Sequence, residues 1–189
     1  PEEVARKLPT TLVAACADLA FAKTVQAAGR ARHLRVYVND DLTGVELGGA
    51  VKNVIAIAAG ALEGLGMGDN AKSALITRGL AEMARLGVVS GARPITFMGL
   101  AGVGDLITTC VSPYGRNRHV GLEIGRGKTL KEVLAGMTMV AEGVATCRSV
   151  REMAGRMGVE MPICDAVFDV LFNDKPPRQA VTEIGRAHV

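Results

Sequence analysis

The sequence has little aromatic character, because Phe, Trp and Tyr together make up 3% of its 189 residues and tryptophan is absent. Apolar residues nevertheless make up 49% of the chain and charged residues 22%. These shares exclude an intrinsically disordered chain and are typical of a globular protein. Small and aliphatic side chains supply most of the apolar share, so we expect closely packed helices.

An excess of one charge sign is also missing. The formal net charge is +3, and no dense run of Lys and Arg occurs, so we expect no nucleic-acid partner. Four cysteines lie far apart without a C-x-x-C pair, and the three histidines are scattered. The sequence therefore predicts no metal site, and reduced thiols in a cytoplasmic protein.

Long hydrophobic runs are absent as well. No apolar run reaches the roughly 18 residues of a membrane span without a charged residue, and no signal peptide is recognisable. We therefore expect no membrane span and a cytoplasmic location. The first residue is Pro1 rather than Met, and we expect the chain to be a piece of a longer protein.

The order of predicted elements divides the chain near residue 40. "TTLVAAC" (10–16) and "LRVYV" (34–38) are typical of strands, and a helix capped by Asp18 lies between them. The remainder predicts helices only, so the fold class is mainly α, with domains at 1–40 and 41–189. The first long helix is capped by Asp41 or Thr43, the second by Asp69. The predicted helices run over 41–65, 69–87, 94–100, 104–110, 115–125, 129–135, 142–157, 162–173 and 177–185.

Two glycine-rich stretches resemble phosphate-binding loops only in part. "GLGMG" (64–68) follows a helix rather than a strand, and "GLAGVGDLI" (99–107) lacks the third glycine of G-x-G-x-x-G. Both are interpreted as helix breaks. The chain therefore contains no complete nucleotide-binding motif.

Lys52 is a single lysine within "GVELGGAVKNVIAIAAG" (44–60). Glycines and alanines at steps of about four residues form a ridge of minimal side chains on the face that carries it. Such a ridge admits another backbone or a ligand, and Asn53 stands beside the lysine. The alternative is an ammonium group that extends from a core helix into solvent.

Two further groups of residues fit a small phosphorylated carbonyl compound. Asp105 and Thr109 lie four residues apart, on one helical face, where a carboxylate can orient an ammonium group. Arg116 and Asn117 follow a turn at the start of a predicted helix, where a guanidinium and free N–H groups suit phosphate oxygens. A capping aspartate and a solvated basic cluster are the structural alternatives.

These residues also carry a family resemblance. "GGAVKNVIAIAAG", "NAKSALITRGLAEM", "GLAGVGDLITTC", "GRNRHVG" and "VAEGVAT" occur in this order. The chain resembles bacterial NAD(P)-dependent glycerol-3-phosphate dehydrogenase over nearly its whole length. The resemblance implies an all-helical C-terminal domain of the 6-phosphogluconate-dehydrogenase-like kind, preceded by a strand–helix–strand remnant of a Rossmann domain. It further implies NAD or NADP as cofactor, bound mainly by a domain that precedes Pro1.

The resemblance assigns the substrate site residue by residue. Lys52 would be the catalytic proton-transfer group, and Asn53 would contact the substrate. Asp105 would hold the lysine, and Thr109 would bind a substrate oxygen. The anchor residues Gly115, Arg116 and Asn117 would bind the phosphate of dihydroxyacetone phosphate or glycerol 3-phosphate.

Two details of the resemblance concern the rim of the site. The position of Gly115 is usually serine in this family, so one hydroxyl contact is missing, and its backbone N–H is expected to remain a donor. Val140 and Glu142 would touch the cofactor, as would Arg116.

Two alternatives stand beside this assignment. β-Hydroxyacid dehydrogenases carry asparagine four residues after their catalytic lysine, where this chain has Ala56. A non-catalytic helical assembly module would use only the small-residue ridge. We expect the chain alone to be inactive, with residues 10–38 either disordered or paired with a second copy, since two strands do not form a stable sheet by themselves. A homodimer is thus a candidate assembly.

Overall fold

The computed structural model describes residues 2–186, apart from the side chains of Glu2 and Arg186. Its mainly helical architecture confirms the predicted fold class. The elements are α1 (Glu2–Ala5), β1 (Thr10–Ala15), α2 (Leu19–Ala28), β2 (Leu34–Asn39), α3 (Leu42–Gly64), α4 (Asp69–Val89), α5 (Pro94–Phe97), a π-helical turn (Leu100–Gly104), α6 (Asp105–Val111), α7 (Arg116–Gly125), α8 (Leu130–Ala135), α9 (Glu142–Met157), α10 (Pro162–Phe172) and α11 (Pro177–Arg186).

The two strands form a parallel pair, with Thr10 opposite Leu34 at one end and Ala15 opposite Asn39 at the other. Within residues 2–186 neither strand has a second partner. Leu12 and Tyr37 remain about half exposed. Pairing of these strands with a second copy therefore stays a prediction, since both outer edges are available for it.

Asp41 joins the start of α3 to α5. Its carboxylate accepts hydrogen bonds from the N–H groups of Gly44 and Arg93 at 2.9 and 2.8 Å and from the Thr96 hydroxyl at 2.6 Å. Burial by itself would raise the pKa of Asp41, but these hydrogen bonds outweigh it and lower the pKa. Asp41 is thus the cap of α3 rather than Thr43. The division into domains at residues 40 and 41 remains a prediction.

Helix α3 is the central helix of the fold. By length and composition it could cross a membrane, but here it packs against α4, α6, α7 and α9. Val51, Val54 and Ile55 are completely buried. Amphipathic neighbours therefore cover α3, and it forms the core of the helical part.

The small-residue ridge of α3 is occupied by other backbones. A Cβ on Gly48 would lie 2.8 Å from the Ala101 carbonyl oxygen, and one on Gly60 would lie 1.9 Å from the Arg118 carbonyl oxygen. From the facing helix α7, a Cβ on Gly121 would lie 1.8 Å from the carbonyl oxygen of Ile57 on α3. Helices α3 and α7 thus meet backbone to backbone, which leaves Lys52 to project from the ridge.

Some predicted boundaries were wrong. Gly68, not Asp69, is the N-cap of α4. Asp69 is the first residue of the helix, and its side chain makes no capping hydrogen bond. Pro94 does begin α5, but this helix ends at Phe97 rather than at residue 100. A π-helical turn then leads directly into α6, because Phe97 is wedged against Gly102, whose Cβ would lie 2.1 Å from the Phe97 carbonyl oxygen.

Glu82 of α4 is a carboxylate buried in the core, with 3% of its surface exposed. Its oxygens accept hydrogen bonds from the N–H groups of Ile163 and Cys164 at 2.7 and 3.3 Å. These groups belong to the first turn of α10, whose N-cap Met161 makes no side-chain bond to them. Burial raises the pKa of Glu82 to about 7, although the two hydrogen bonds lower it. Glu82 thus caps α10 from a neighbouring helix.

We expect the buried Glu82 to make the protein less stable as the pH rises from about 5 to about 8. The folded-state pKa of about 7 exceeds the ordinary value of 4.5, so the unfolded chain releases this proton first. The corresponding loss in the free energy of unfolding is about 2–3 kcal/mol, complete above the folded pKa. Urea unfolding of the wild type and of Glu82→Gln at both pH values measures it. If both proteins show the same pH dependence, Glu82 is not its source.

Candidate active site

A polar cavity of about 490 Å³ lies where α3, α6, α7 and α9 meet the N-terminal segment. Its walls bring together residues that are far apart in the sequence, from Glu3 to Glu142. The residues predicted for substrate binding all line it, and so do two of the three predicted for the cofactor, Arg116 and Glu142, whereas Val140 does not. The predicted residues in its lining are Lys52, Asn53, Asp105, Thr109, Gly115, Arg116, Asn117 and Glu142.

Lys52 and Asp105 form an ion pair within this cavity. Lys52 projects from the middle of α3, and Asp105 is the first residue of α6, directly after the π-helical turn. Side-chain exposures of 20% and 39% leave both groups within reach of a ligand. The Thr109 hydroxyl donates to the Asp105 backbone carbonyl at 2.6 Å. Its hydrogen is therefore used, and its lone pairs remain for a ligand.

The amides of Asn53 and Asn117 join three helices behind the cavity. Asn117 Nδ2 donates to Asn53 Oδ1 at 2.8 Å, and Asn117 Oδ1 accepts from the Gly143 N–H at 2.9 Å. Asn53 Nδ2 donates to the Gly49 carbonyl at 3.0 Å. Each amide group thus accepts one hydrogen bond from the protein at its oxygen and donates one at its nitrogen. Both side chains hold α3, α7 and α9 together, whatever they contribute to a ligand.

Arg116 opens α7 at the cavity wall. Its guanidinium donates to the Val140 carbonyl at 2.9 Å and lies 3.8 Å from the Glu142 carboxylate. Gly115 precedes it as an N-cap without a side chain, so no side chain caps α7. The Gly115 N–H, expected to remain a donor, donates to the Ser112 carbonyl at 3.1 Å and is thus engaged within the preceding turn. The uncapped first turn of α7 and the guanidinium form a cationic part of the cavity wall.

A second cavity, of about 170 Å³, lies between α3, α4, α7, α10 and α11. Its lining is apolar except for Arg78, so it offers little to orient a polar substrate. The four cysteines are free thiols, and burial raises the pKa of Cys110 and of Cys147 to about 12. Neither thiol suits nucleophilic chemistry. Within residues 2–186 no cluster of His, Cys, Asp and Glu could hold a metal ion.

Sequence reasoning gave no role to Gly143 or Ser112. A Cβ on Gly143 would lie 2.7 Å from the Asn53 carbonyl oxygen and 2.9 Å from Asn117 Oδ1. The site therefore needs glycine there, and the only signal was its place within "VAEGVAT". Ser112 lines the cavity and shapes the turn before α7, a contact that only the folded loop reveals.

Comparison with known proteins finds relatives that match nearly the whole chain. Glycerol-3-phosphate dehydrogenase (NAD(P)+) from Geobacter metallireducens is 57% identical over 182 residues, 96% of this chain and 54% of that protein. The enzyme of the same name from Chlorobium phaeobacteroides is 54% identical over 183 residues, 97% of this chain and 55% of its own length. This chain thus spans about half the length of these curated relatives.

A solved structure shows the same fold. The crystal structure of glycerol-3-phosphate dehydrogenase from Coxiella burnetii superposes with a TM-score of 0.95 at 43% identity, covering 98% of this chain and 57% of that one. These matches favour neither a β-hydroxyacid dehydrogenase nor an assembly module. The family described as NAD-dependent glycerol-3-phosphate dehydrogenase C-terminus matches residues 41–182. This range includes all residues of the polar cavity apart from those of its N-terminal wall. The chain belongs to this family.

Proposed function

We propose that this chain is the substrate-binding and catalytic part of an NAD(P)-dependent glycerol-3-phosphate dehydrogenase, which interconverts sn-glycerol 3-phosphate and dihydroxyacetone phosphate. The observation that carries the proposal is the pairing of Lys52 with Asp105 in a cavity that is also lined by Arg116, at the uncapped start of α7. The ammonium group can exchange a proton with a substrate oxygen, and the guanidinium with the helix start can bind a phosphate.

Lys52 is the proton-transfer group of this proposal. A lysine is ordinarily protonated at neutral pH, so its ammonium group can donate to the oxygen on C2 as the carbonyl of dihydroxyacetone phosphate is reduced. Asp105 keeps the ammonium group pointed into the cavity by its ion pair. In the oxidative direction the same nitrogen must first lose its proton, and as a neutral amine it accepts the hydroxyl proton while the hydride leaves C2 for the nicotinamide.

The phosphate anchor is Arg116 with the first turn of α7. A guanidinium binds phosphate oxygens through paired N–H groups, and the first N–H groups of a helix lack intrahelical acceptors. The guanidinium side chain is 40% exposed, with the neutral Val140 carbonyl as its short hydrogen-bond partner. It therefore keeps donors for an incoming phosphate.

The rim of the cavity fits a nicotinamide cofactor. Arg116 offers donors, the exposed Glu142 carboxylate offers acceptors for hydroxyl or amide groups, and Val140 is an apolar surface with 73% of its area exposed. These residues would hold the cofactor's nicotinamide end, which supplies or takes up the hydride. The main dinucleotide site is proposed for the part of the relatives that this chain does not match, so the choice between NAD and NADP lies there.

We also propose a cytoplasmic location and retain a homodimer as the candidate assembly. Free thiols at all four cysteines are in keeping with a reducing compartment. The unpaired outer edges of β1 and β2 are one surface on which two copies could meet.

The test uses a fusion of this chain to the part of the Geobacter metallireducens enzyme that it does not match, hereafter the fusion enzyme. It should oxidise NADH or NADPH in the presence of dihydroxyacetone phosphate, followed by absorbance of the reduced nicotinamide. An active parent enzyme together with a correctly folded but inactive fusion enzyme would refute the proposed function.

We expect Arg116→Ala in the fusion enzyme to raise KM for dihydroxyacetone phosphate by about 10- to 100-fold, because a hydrogen bond to a charged group contributes about 1.5–3 kcal/mol. Steady-state kinetics with unphosphorylated dihydroxyacetone serves as the control, because that compound has no phosphate for Arg116 to bind. Equal losses with both substrates would remove Arg116 from the phosphate anchor.

A further inference from the structure

The hydroxyl groups of the cavity differ in what their hydrogens do. Five residues with a hydroxyl line it: Thr10, Thr108, Thr109, Ser112 and Tyr114. The three threonines each donate to a backbone carbonyl, that of Leu8, Gly104 and Asp105 respectively, at 2.6–3.0 Å. A hydroxyl has a single hydrogen to donate. The threonine hydroxyls therefore have no hydrogen left for a ligand, and the hydroxyls of Ser112 and Tyr114 are the two remaining candidate donors in this lining.

Ser112 is better placed than Tyr114 to use its hydrogen. Its oxygen accepts the Tyr114 N–H at 3.3 Å, and its carbonyl accepts the Gly115 N–H at 3.1 Å, so the turn before α7 closes on this residue. Within the described residues 2–186, Ser112 Oγ donates to no protein atom. Tyr114 is half exposed, and its ring stacks on the Arg6 guanidinium at 6.0 Å.

The start of α7 lacks a hydroxyl of its own. Gly115 has no side chain, and its N–H is already bound to Ser112. A phosphate beside Arg116 would thus meet the guanidinium and the first backbone N–H groups of α7, with Ser112 as the hydroxyl three residues before the cap. We propose that Ser112 donates a hydrogen bond to the substrate phosphate and so determines the preference for phosphorylated substrate. This inference rests on the proposed function.

The experiment titrates the ¹⁵N-labelled fusion enzyme with glycerol 3-phosphate, and with glycerol as the unphosphorylated control, while amide signals of residues 116–118 are followed. Ser112→Ala should weaken glycerol 3-phosphate binding about tenfold or more, as expected for a lost hydrogen bond to a charged group. Ser112→Thr keeps the hydroxyl and should bind within about threefold of the wild type.

Two matched variants separate phosphate binding from folding. Thr108→Val removes a hydroxyl whose hydrogen is used by Gly104, so glycerol 3-phosphate affinity should change by less than about twofold. Gly115→Ser added to Ser112→Ala puts a hydroxyl at the helix cap, where a Cβ would lie 3.2 Å from the nearest atom, the Ser112 carbonyl oxygen. It should recover most of the lost affinity, which a loss caused by misfolding would not allow.

The outcomes distinguish the two proposals. Affinity lost in Arg116→Ala but kept in Ser112→Ala overturns the role of Ser112 and leaves the phosphate anchor in place. Affinity lost in Tyr114→Phe instead assigns the hydroxyl to Tyr114 and likewise overturns it. If glycerol 3-phosphate fails to shift the signals of residues 116–118 in the wild type, both the anchor and the role of Ser112 are wrong.

Discussion

Replacing Lys52 by methionine should lower kcat of the fusion enzyme by about 10²–10⁴, the usual contribution of a positioned acid–base group. Methionine approximates the length of the lysine and removes its proton. Lys52 lies in the cavity, and among the described residues 2–186 Asp105 pairs with no other ammonium group that could replace it. Cofactor binding should change little, because the proposed rim residues are Arg116, Val140 and Glu142.

Steady-state kinetics of three proteins checks this prediction. Lys131→Met on the exposed face of α8 is the matched control and should retain wild-type kcat. Asp105 loses its partner in Lys52→Met, so circular dichroism should first establish that the variant is folded. A folded Lys52→Met enzyme with a third of the wild-type kcat would exclude Lys52 as the proton-transfer group.

Gly121→Ala should destabilise the protein by about 2–3 kcal/mol or more, although alanine is the better helix former by about 1 kcal/mol. The added Cβ would lie 1.8 Å from the Ile57 carbonyl oxygen and 2.8 Å from the Ala61 nitrogen. Both obstacles are backbone atoms of α3, so no side-chain rotation relieves the clash. Helices α3 and α7 must separate, which also moves Arg116 away from Lys52.

Gly155→Ala is the control for this substitution, because a Cβ on Gly155 of α9 has no atom within 4 Å. It should raise the free energy of unfolding by up to about 1 kcal/mol, the difference in helix propensity. Urea unfolding of both variants and glycerol 3-phosphate titration of the folded fraction measure the two effects. Similar stability changes in Gly121→Ala and Gly155→Ala would show that α3 and α7 do not meet as described.

The helices could be predicted because their signals are local. Apolar periodicity and caps such as Asp18 and Asp41 act within a few residues, and the predicted helices after residue 40 differ from the observed ones chiefly at their ends. The α4 cap was predicted wrongly at Asp69 because aspartate is common both as an N-cap residue and within the first turn of a helix. The π-helical turn was missed because it depends on how Phe97 packs against Gly102.

The candidate site was predictable only in its composition. Motif spacing brought Lys52, Asp105 and Arg116 into consideration, and the fold gathers them in one cavity. The bond between Asn53 and Asn117 spans 64 positions of the chain, and no local pattern reports such a contact. The fate of the Gly115 N–H depends on the geometry of the preceding turn, which the residue types alone do not fix.

The direction in which the Asp105 side chain points depends on the number of residues in the π-helical turn before α6. Such a turn contains about one residue more than an α-helical turn, and Phe97 anchors the chain ahead of it with no exposed surface. Shortening residues 100–104 by one would let an ordinary helix form and turn everything after it by about 100°. The carboxylate would then face away from Lys52 although every side chain of the site was still present. In this protein a one-residue deletion at a position without chemical function would be as damaging to the site as loss of the aspartate.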